Sequence, residues 1–379
     1  MSFGTLALVL CAGLLGPLLA WRGSWHVPDV LGVLLAGILL GPTGLARLDA
    51  GNPTFTFLAD IGFALVMFVA GSHVPVGDRT LRRGVRVGAA RAVAVGAVSA
   101  VLGTVVAAAF HTGHAGLYAV LMASSSAALV LPIVDSLRLA GPEVLRMLPQ
   151  VAIADTACIV ALPLAIDPAH AARAAVGALV VALCAVLLLV VLRHITATGA
   201  RRRLHRVSEK RGFALELRLQ LATLCALAAL ATTLHVSVLL AGFSLGLVVA
   251  GVGVPRRLAR QLFGLTEGFL GPVFFVWLGA SLDLRELGAH PAYVLLGLAL
   301  GLGAILTHLA VRAVGQPASL AVLASAQLGV PVAAATLGTQ LHLLHPGEAP
   351  ALVLGALVTI AAAAAASAVA ARRAGALTA

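Results

Sequence analysis

The sequence predicts an all-α membrane protein with about thirteen transmembrane helices. Of its 379 residues, 61% are hydrophobic and only 10% are charged, whereas soluble domains carry about a quarter charged residues. The 40 glycines favour the same class, because small residues let membrane helices approach one another closely. A soluble fold of this length could not bury so much apolar surface, so the composition excludes the soluble classes.

Thirteen apolar runs follow one another, each near the length of about 20 residues that crosses a bilayer as a helix. They cover approximately residues 5–21, 28–46, 56–74, 89–110, 116–136, 149–166, 174–193, 214–233, 236–253, 263–282, 291–313, 318–338 and 350–371. The longest connection is the basic segment 194–213. We expect the first run to be a retained helix, and residues 1–379 to form a single membrane domain without a soluble regulatory domain.

The basic residues indicate how these helices are oriented. If the N-terminus lies outside, all but three of the 25 Lys and Arg residues fall on the cytoplasmic side; the exceptions are Arg47, Arg173 and Arg285. The positive-inside rule therefore predicts an outer N-terminus and a cytoplasmic C-terminus in a bacterial plasma membrane. The net charge of +11 indicates loops that face anionic lipid rather than nucleic acid, because no aromatic-rich basic stripe accompanies it.

One carboxylate lies well inside an apolar run. Asp155 is about six residues into the sixth predicted helix, in PQVAIADTACIVALPLAI, and so about 9 Å below the start of the helix. An ionisable group at such a depth is costly unless it is paired, hydrated or protonated, and it usually faces a water-filled cavity. Asp155 is therefore a candidate site for exchange of a proton against a cation. The structural alternative is a carboxylate bonded to a neighbouring helix.

Two other predicted helices contain polar or helix-breaking clusters. The fifth has MASSSAALVLP, with Ser124, Ser125, Ser126 and Pro132, and the twelfth has SAQLGVPVAAA, with Gln327, Gly329 and Pro331. Interrupted helices at corresponding places in two halves of a chain indicate a transporter binding site. Serine and proline are also common in ordinary membrane helices, so each cluster alone is weak evidence for a binding site. The evidence is stronger because the two clusters occur as a pair and Asp155 lies on the helix that follows the first.

The sequence predicts no cofactor and no metal beyond a transported monovalent cation. The four cysteines are isolated, without the spacing of a metal site or a disulfide framework. His308 lies in the middle of the eleventh run. It is either an interhelical hydrogen-bonding group or a proton relay, since histidine titrates near neutral pH.

Several motifs resemble those of the cation/proton antiporter superfamily, in order along nearly the whole chain. They are VPDVLGVLLAGILLGPTGL (27–45), FVAGSHV (68–74), GPVFFVWLGASLDL (271–284) and SAQLGVPVAAATLG (325–338). The third matches a P-x-F-F-x-x-x-G-x-x-L-D-L pattern that is specific to the family. The resemblance is closest to the Kef-type, or antiporter-2, branch, the membrane domain of sodium–proton exchangers.

This resemblance implies inverted repeats with two crossing broken helices, as in the NhaA-like antiporter fold. It implies a homodimer in which a dimerisation part (the first three predicted helices and the seventh to tenth) supports a moving core (about 89–166 and 291–371). The family's ion site matches Asp155, Ser124–Ser126 and Gln327–Pro331 here. The chain departs from the family pattern at Ala154, where many members carry another aspartate, at Val330, where some carry glutamate, and near Gly303, where many carry lysine.

The leading hypothesis is a secondary-active antiporter that exchanges Na⁺ or K⁺ for H⁺ at Asp155 by alternating access, not an enzyme. With Ala154 and Gly303 unable to hold a proton, we expect the exchange to be electroneutral. The alternatives are a proton-coupled transporter of another solute on the same scaffold and a non-transporting membrane regulator with a degenerate site. An intramembrane aspartyl protease would need two facing aspartates, which the sequence does not offer.

Overall fold

The protein is described by a computed structural model covering residues 1–20, 29–72, 81–137, 139–198, 213–234, 236–253, 256–282, 284–289 and 291–376. Over these ranges the chain is helical, without β-strands. Most of the basic segment 194–213, from residue 199 to residue 212, lies outside the described residues. The prediction of an all-α, multi-span membrane protein is confirmed.

The helices are α1 (Phe3–Gly13), α2 (Leu15–Ala20), α3 (Asp29–Leu40), α4 (Pro53–Ser72), α5 (Leu81–Phe110), α6 (Ala115–Ala123), α7 (Ala127–Ser136), α8 (Pro142–Ile166), α9 (Ala171–Ala197), α10 (Leu215–Thr233), α11 (Val238–Val252), α12 (Arg256–Leu265), α13 (Gly271–Ser281), α14 (Leu284–Ala289), α15 (Pro291–Ala310), α16 (Ala318–Ala324), α17 (Gly329–Gln340) and α18 (Glu348–Ala376). A π-helical turn, Thr266–Leu270, joins α12 to α13.

Each predicted transmembrane range coincides with a helix or a broken helix. Among the described residues, nine helical segments are long and apolar enough to cross a membrane, and the shorter apolar helices are Phe3–Leu19 and Val238–Val252. The remaining two predicted ranges fall on α3, with 12 residues, and on α6 and α7, with 9 and 10 residues. A count of thirteen membrane crossings remains a prediction.

Two sets of helices pack closely within themselves. In the first set, α4 packs against α11 and α13, and α3 packs against α13. Glycine permits this approach: a Cβ atom on Gly279 of α13 would lie 2.2 Å from the carbonyl oxygen of Leu34 in α3, so no larger residue fits there. In the second set, α5 packs on α6 and α8, and α15 packs on α18. The division into a dimerisation part and a moving core remains a prediction.

Both helices predicted to be broken are interrupted. The first break, between α6 and α7, is at Ser124–Ser126, and Ser124 has extended backbone angles (φ −70°, ψ 152°). The second break, between α16 and α17, is at residues 325–328. Gly329 and Pro331 lie in the first turn of α17, where the missing proline N–H costs no helical hydrogen bond.

The assignment of Pro132 as a helix-breaking residue is wrong. Pro132 lies inside α7, six residues after the break. A proline inside a helix removes one backbone hydrogen bond, and α7 continues past Pro132 to Ser136. The start of α7 is determined instead by a distant carboxylate that binds its first N–H group, as the site shows.

Candidate ion-binding site at the two helix breaks

Asp155 connects α8 to the first helix break. Helix α8 begins at Pro142, a favourable first residue, and carries Asp155 in its buried interior with 6% of the residue exposed. The carboxylate oxygen Oδ2 accepts a hydrogen bond of 2.9 Å from the backbone N–H of Ala127, the first residue of α7. The N–H groups at the start of a helix have no partner within it and carry partial positive charge, so α7 stabilises the ionised form of Asp155.

Ser125 connects the two breaks. Its hydroxyl donates a hydrogen bond of 2.6 Å to the carbonyl oxygen of Ala324, the last residue of α16. Ser125 is 2% exposed and Ala324 is fully buried. The carbonyl groups at the end of a helix have no intrahelical partner, so this bond satisfies one of them. The predicted proximity of the two broken helices is thus present in the structure, with residues 199 positions apart in direct contact.

His308 lies beside this junction. Its Nε2 is 3.3 Å from Ser125 Oγ, and its Nδ1 is 3.0 Å from the carbonyl oxygen of Ala304, one turn earlier in α15. A carbonyl oxygen only accepts, so Nδ1 carries a proton. If the Ser125 hydroxyl donates to Ala324, the contact with Nε2 is a hydrogen bond only when Nε2 is also protonated. His308 is fully buried, so its ring is held between α15 and the Ser125 hydroxyl.

Gln327 is held at the second break by α18. Its backbone N–H donates to the hydroxyl of Thr359 (3.2 Å), and that hydroxyl donates to the carbonyl oxygen of Ala356 (2.8 Å). Gln327 is 3% exposed, and its side-chain Nε2 has no hydrogen-bond partner within the described residues. A buried amide with a free donor is costly in an apolar interior, and water or a solute group would satisfy it.

The other predicted site residues shape the breaks. The Ser124 hydroxyl donates to the carbonyl oxygen of Leu121 in its own helix (2.9 Å). The carbonyl oxygen of Ser126 accepts the first two bonds of α7, from the N–H groups of Leu129 and Val130. A Cβ atom on Gly329 would lie 3.2 Å from the Met67 sulfur, so the second break fits closely against α4.

These contacts bring a carboxylate, a serine hydroxyl and the ends of four helix segments to one buried junction. Backbone carbonyl oxygens at the ends of α6 and α16 and N–H groups at the starts of α7 and α17 lie at the two breaks. Interrupted helices in transporters use such carbonyls to coordinate Na⁺ or H⁺ near the middle of the bilayer. Asp155 adds a buried carboxylate to this junction.

A second polar cluster lies where α6 and α18 begin. His114 Nδ1 is 2.7 Å from Oε1 of Glu348, and the Tyr118 hydroxyl donates to the same oxygen (2.6 Å). The backbone N–H of His345 donates to Oε2 (2.9 Å). The hydrogen bond with Glu348 raises the pKa of His114 above its usual value. Sequence reasoning missed this cluster, although HTGH (111–114) and HLLHPGE (342–348) concentrate histidines in two predicted outer loops.

A buried arginine was also missed. Arg91 of α5, counted in the sequence as part of a cytoplasmic helix end, is 1% exposed and donates to the Glu143 carboxylate at the start of α8 (2.9 Å). Glu143 also pairs with Arg146 in the first turns of α8. This ion pair joins α5 to the helix that carries Asp155.

The fold and the junction of two broken helices are those of a multi-span membrane transporter. The family model described as "Sodium/hydrogen exchanger, transmembrane" matches residues 6–373. The chain belongs to this family, which is one of transporters rather than enzymes, and the predicted resemblance is confirmed.

Relatives and a solved structure agree with this family. The chain is 24% identical over 380 residues to YjbQ of Bacillus subtilis (strain 168), provisionally named a Na(+)/H(+) antiporter; the match covers 94% of this chain and 61% of YjbQ. It is 30% identical over 118 residues to a protein of Methanocaldococcus jannaschii provisionally named Na(+)/H(+) antiporter 3, covering 31% of this chain and 30% of that protein. The chain thus spans less than two thirds of the length of either relative.

The fold matches a structure of the sodium proton antiporter MjNhaP1 from Methanocaldococcus jannaschii at pH 8. The match has a TM-score of 0.67 and 18% sequence identity, and it covers 99% of this chain and 97% of MjNhaP1. At this level of identity the match shows a shared fold.

Proposed function

We propose that this protein is a secondary-active antiporter that exchanges Na⁺ or K⁺ for H⁺ across the membrane. The observation that carries the proposal is Asp155, a buried carboxylate hydrogen-bonded to the first N–H group of a broken helix. Membership of the sodium/hydrogen exchanger family and the names of the relatives support the same function.

In the proposed cycle, Asp155 carries a proton or a cation, but not both. When Asp155 is ionised, the N–H group of Ala127 stabilises one carboxylate oxygen, and the other is available to a cation. Carbonyl oxygens at the breaks and the amide of Gln327 complete the coordination directly or through water. When the cation leaves, Asp155 takes up a proton, and the core presents the site to the opposite side of the membrane.

We propose that this exchange is electroneutral, with one proton for each cation. Ala154 precedes Asp155 and cannot hold a proton, and Gly303 stands where a lysine would offer a second titrating group. His308, which contacts Ser125, is the candidate carrier of a second proton.

The voltage test is exchange in proteoliposomes with and without a valinomycin-clamped membrane potential, using Na⁺ as the test ion. With one proton per cation, the equilibrium gradient should not move with voltage. With two protons per cation, the potential would contribute about 2.3 kcal/mol per 100 mV. A clear voltage shift would contradict electroneutrality, and its loss in His308→Gln would identify the second proton carrier.

The test of the function itself is a cation panel in proteoliposomes that contain the full chain and a pH-sensitive dye. Addition of Na⁺ or K⁺ should move protons in the opposite direction and dissipate a preset pH gradient, relative to protein-free vesicles. Proton movement that requires another solute would favour a different transporter on this scaffold. A folded protein without proton movement for any solute would favour a non-transporting regulator.

We further propose a homodimer in a bacterial plasma membrane, with the N-terminus outside and the C-terminus in the cytoplasm. In a cysteine-free background, His342→Cys should react with a membrane-impermeant maleimide added outside, and Val314→Cys should not. The opposite labelling pattern would reverse the orientation. The mass of the detergent-solubilised protein, corrected for bound detergent, tests the dimer.

A further inference from the structure

A cluster of three metal-ligating side chains lies outside the proposed ion path. His114, His345 and Glu348 each offer one ligand atom, and these atoms all lie within 4.8 Å of one another. His114 precedes α6, His345 lies in the loop before α18, and Glu348 is the first residue of α18. The cluster brings together parts of the chain that are 234 residues apart in sequence.

An ion pair between one histidine and one carboxylate accounts for only part of this arrangement. Glu348 is fully buried and already has three neighbours: His114, the Tyr118 hydroxyl and the backbone N–H of His345. The His345 ring adds a second imidazole, whose centroid is 5.6 Å from that of His114, with an angle of 34° between the ring planes. Two imidazoles directed around one buried carboxylate are a donor set for a metal ion.

We propose that His114, His345 and Glu348 bind a divalent transition-metal ion of the zinc type. Two imidazole nitrogens and one carboxylate oxygen, with water in a fourth position, are a usual ligand set for Zn²⁺. Imidazole ligands suit zinc, copper and nickel, whereas Mg²⁺ and Ca²⁺ prefer oxygen ligands. The site is therefore chemically distinct from the oxygen-lined junction proposed for the transported monovalent cation.

The distances suit such an ion after a small adjustment. Zinc lies about 2.0–2.1 Å from nitrogen and oxygen ligands in a tetrahedral site, which separates ligand atoms by roughly 3.3 Å. The 2.7 Å contact between His114 and Glu348 would therefore open by about 0.6 Å as the ion replaces the shared proton. The ligand atom of the exposed His345 ring lies within 4.8 Å of the other two, so this ring would move toward the ion.

The surroundings of the cluster fit a metal site. Tyr118, fully buried in α6, and the backbone N–H of His345 fix the two oxygens of Glu348. Such outer partners orient ligating carboxylates in metalloproteins. The side chain of His114 is 21% exposed, so an ion reaches the cluster from solvent. When bound, the ion would fasten the N-terminal end of α6 to the start of α18.

The test is Zn²⁺ binding to the detergent-purified full chain, prepared with a histidine-free tag and stripped of metal with a chelator. Competition with a chromophoric zinc indicator should show one tight Zn²⁺ site per chain. Co²⁺ should give the visible d–d absorption of a four-coordinate ion. Zn²⁺ should also raise the temperature of thermal unfolding, because the ion binds only the folded arrangement.

The decisive variant is His345→Gln, because the His345 side chain is exposed and its substitution leaves the backbone N–H bond to Glu348 in place. His342→Gln is the matched control, an exposed histidine of the same loop that is not part of the cluster. His345→Gln should weaken Zn²⁺ binding by at least about tenfold and abolish the thermal shift, while His342→Gln should bind like the wild type. Absence of a stoichiometric site, or equal binding by the two variants, would overturn the proposal.

Discussion

Removal of the Ser125 hydroxyl tests whether the junction between the two breaks is a structural bond. Ser125→Ala leaves the carbonyl of Ala324 buried without its 2.6 Å donor and removes the contact with His308. An unsatisfied buried polar group costs about 1–3 kcal/mol. We therefore expect Ser125→Ala to lower the free energy of unfolding by an amount in that range and to slow cation exchange.

Ser124→Ala is the matched control for this prediction. Ser124 is the adjacent serine and is also fully buried, but its hydroxyl donates to Leu121 in its own helix. The Leu121 carbonyl also accepts from the backbone N–H of Ser124 (3.1 Å), so it keeps a partner and the loss should be about 1 kcal/mol or less. Denaturant unfolding of the detergent-solubilised variants measures both. A loss in Ser124→Ala equal to that in Ser125→Ala would refute the reasoning.

Two further substitutions, each with a matched control, test the helix packing and the proposed ion site. Gly279→Ala places a methyl group 2.2 Å from the Leu34 carbonyl oxygen, so it should destabilise the protein by about 1–3 kcal/mol. Gly264→Ala, where a Cβ meets nothing within 4 Å, should be neutral or stabilising in the same unfolding assay, and equal losses would contradict the packing argument. Gln327→Ala should raise the cation concentration that half-saturates exchange more than it lowers the maximal rate. Gln340→Ala, an exposed glutamine of α17, should leave both unchanged; unaltered cation dependence in Gln327→Ala would indicate a purely structural amide.

The sequence predicts those features of the fold that depend on local composition. Asp155 is conspicuous because its surroundings are apolar, and the three consecutive serines and the Gly-Val-Pro segment locate both breaks. Pro132 was misassigned because proline is a strong local signal, whereas the start of α7 depends on a hydrogen bond between Ala127 and Asp155, 28 residues apart. A pattern of neighbouring residues in the sequence cannot predict that hydrogen bond.

The parts of the site that the sequence does not predict are contacts between residues far apart in the chain. The contact of Ser125 with Ala324 spans 199 residues, and the pair of His114 with Glu348 spans 234 residues. A single sequence shows which residue types are available, but only packing of α6 against its neighbours determines which of them meet. Thr359 was missed for the same reason. Threonine is common in membrane helices, and only the folded structure shows that the Thr359 hydroxyl accepts a hydrogen bond from the N–H of Gln327.

The most direct test of the central claim is cation-driven proton movement by Asp155→Asn in proteoliposomes. The asparagine oxygen can still accept the N–H of Ala127, so folding should be retained, but the side chain cannot release a proton. Asp167→Asn is the control, because Asp167 follows the last residue of α8 and caps the short helical turn at Pro168–His170. We predict that Asp155→Asn abolishes exchange while Asp167→Asn retains it. Wild-type exchange by a folded Asp155→Asn protein would contradict the account.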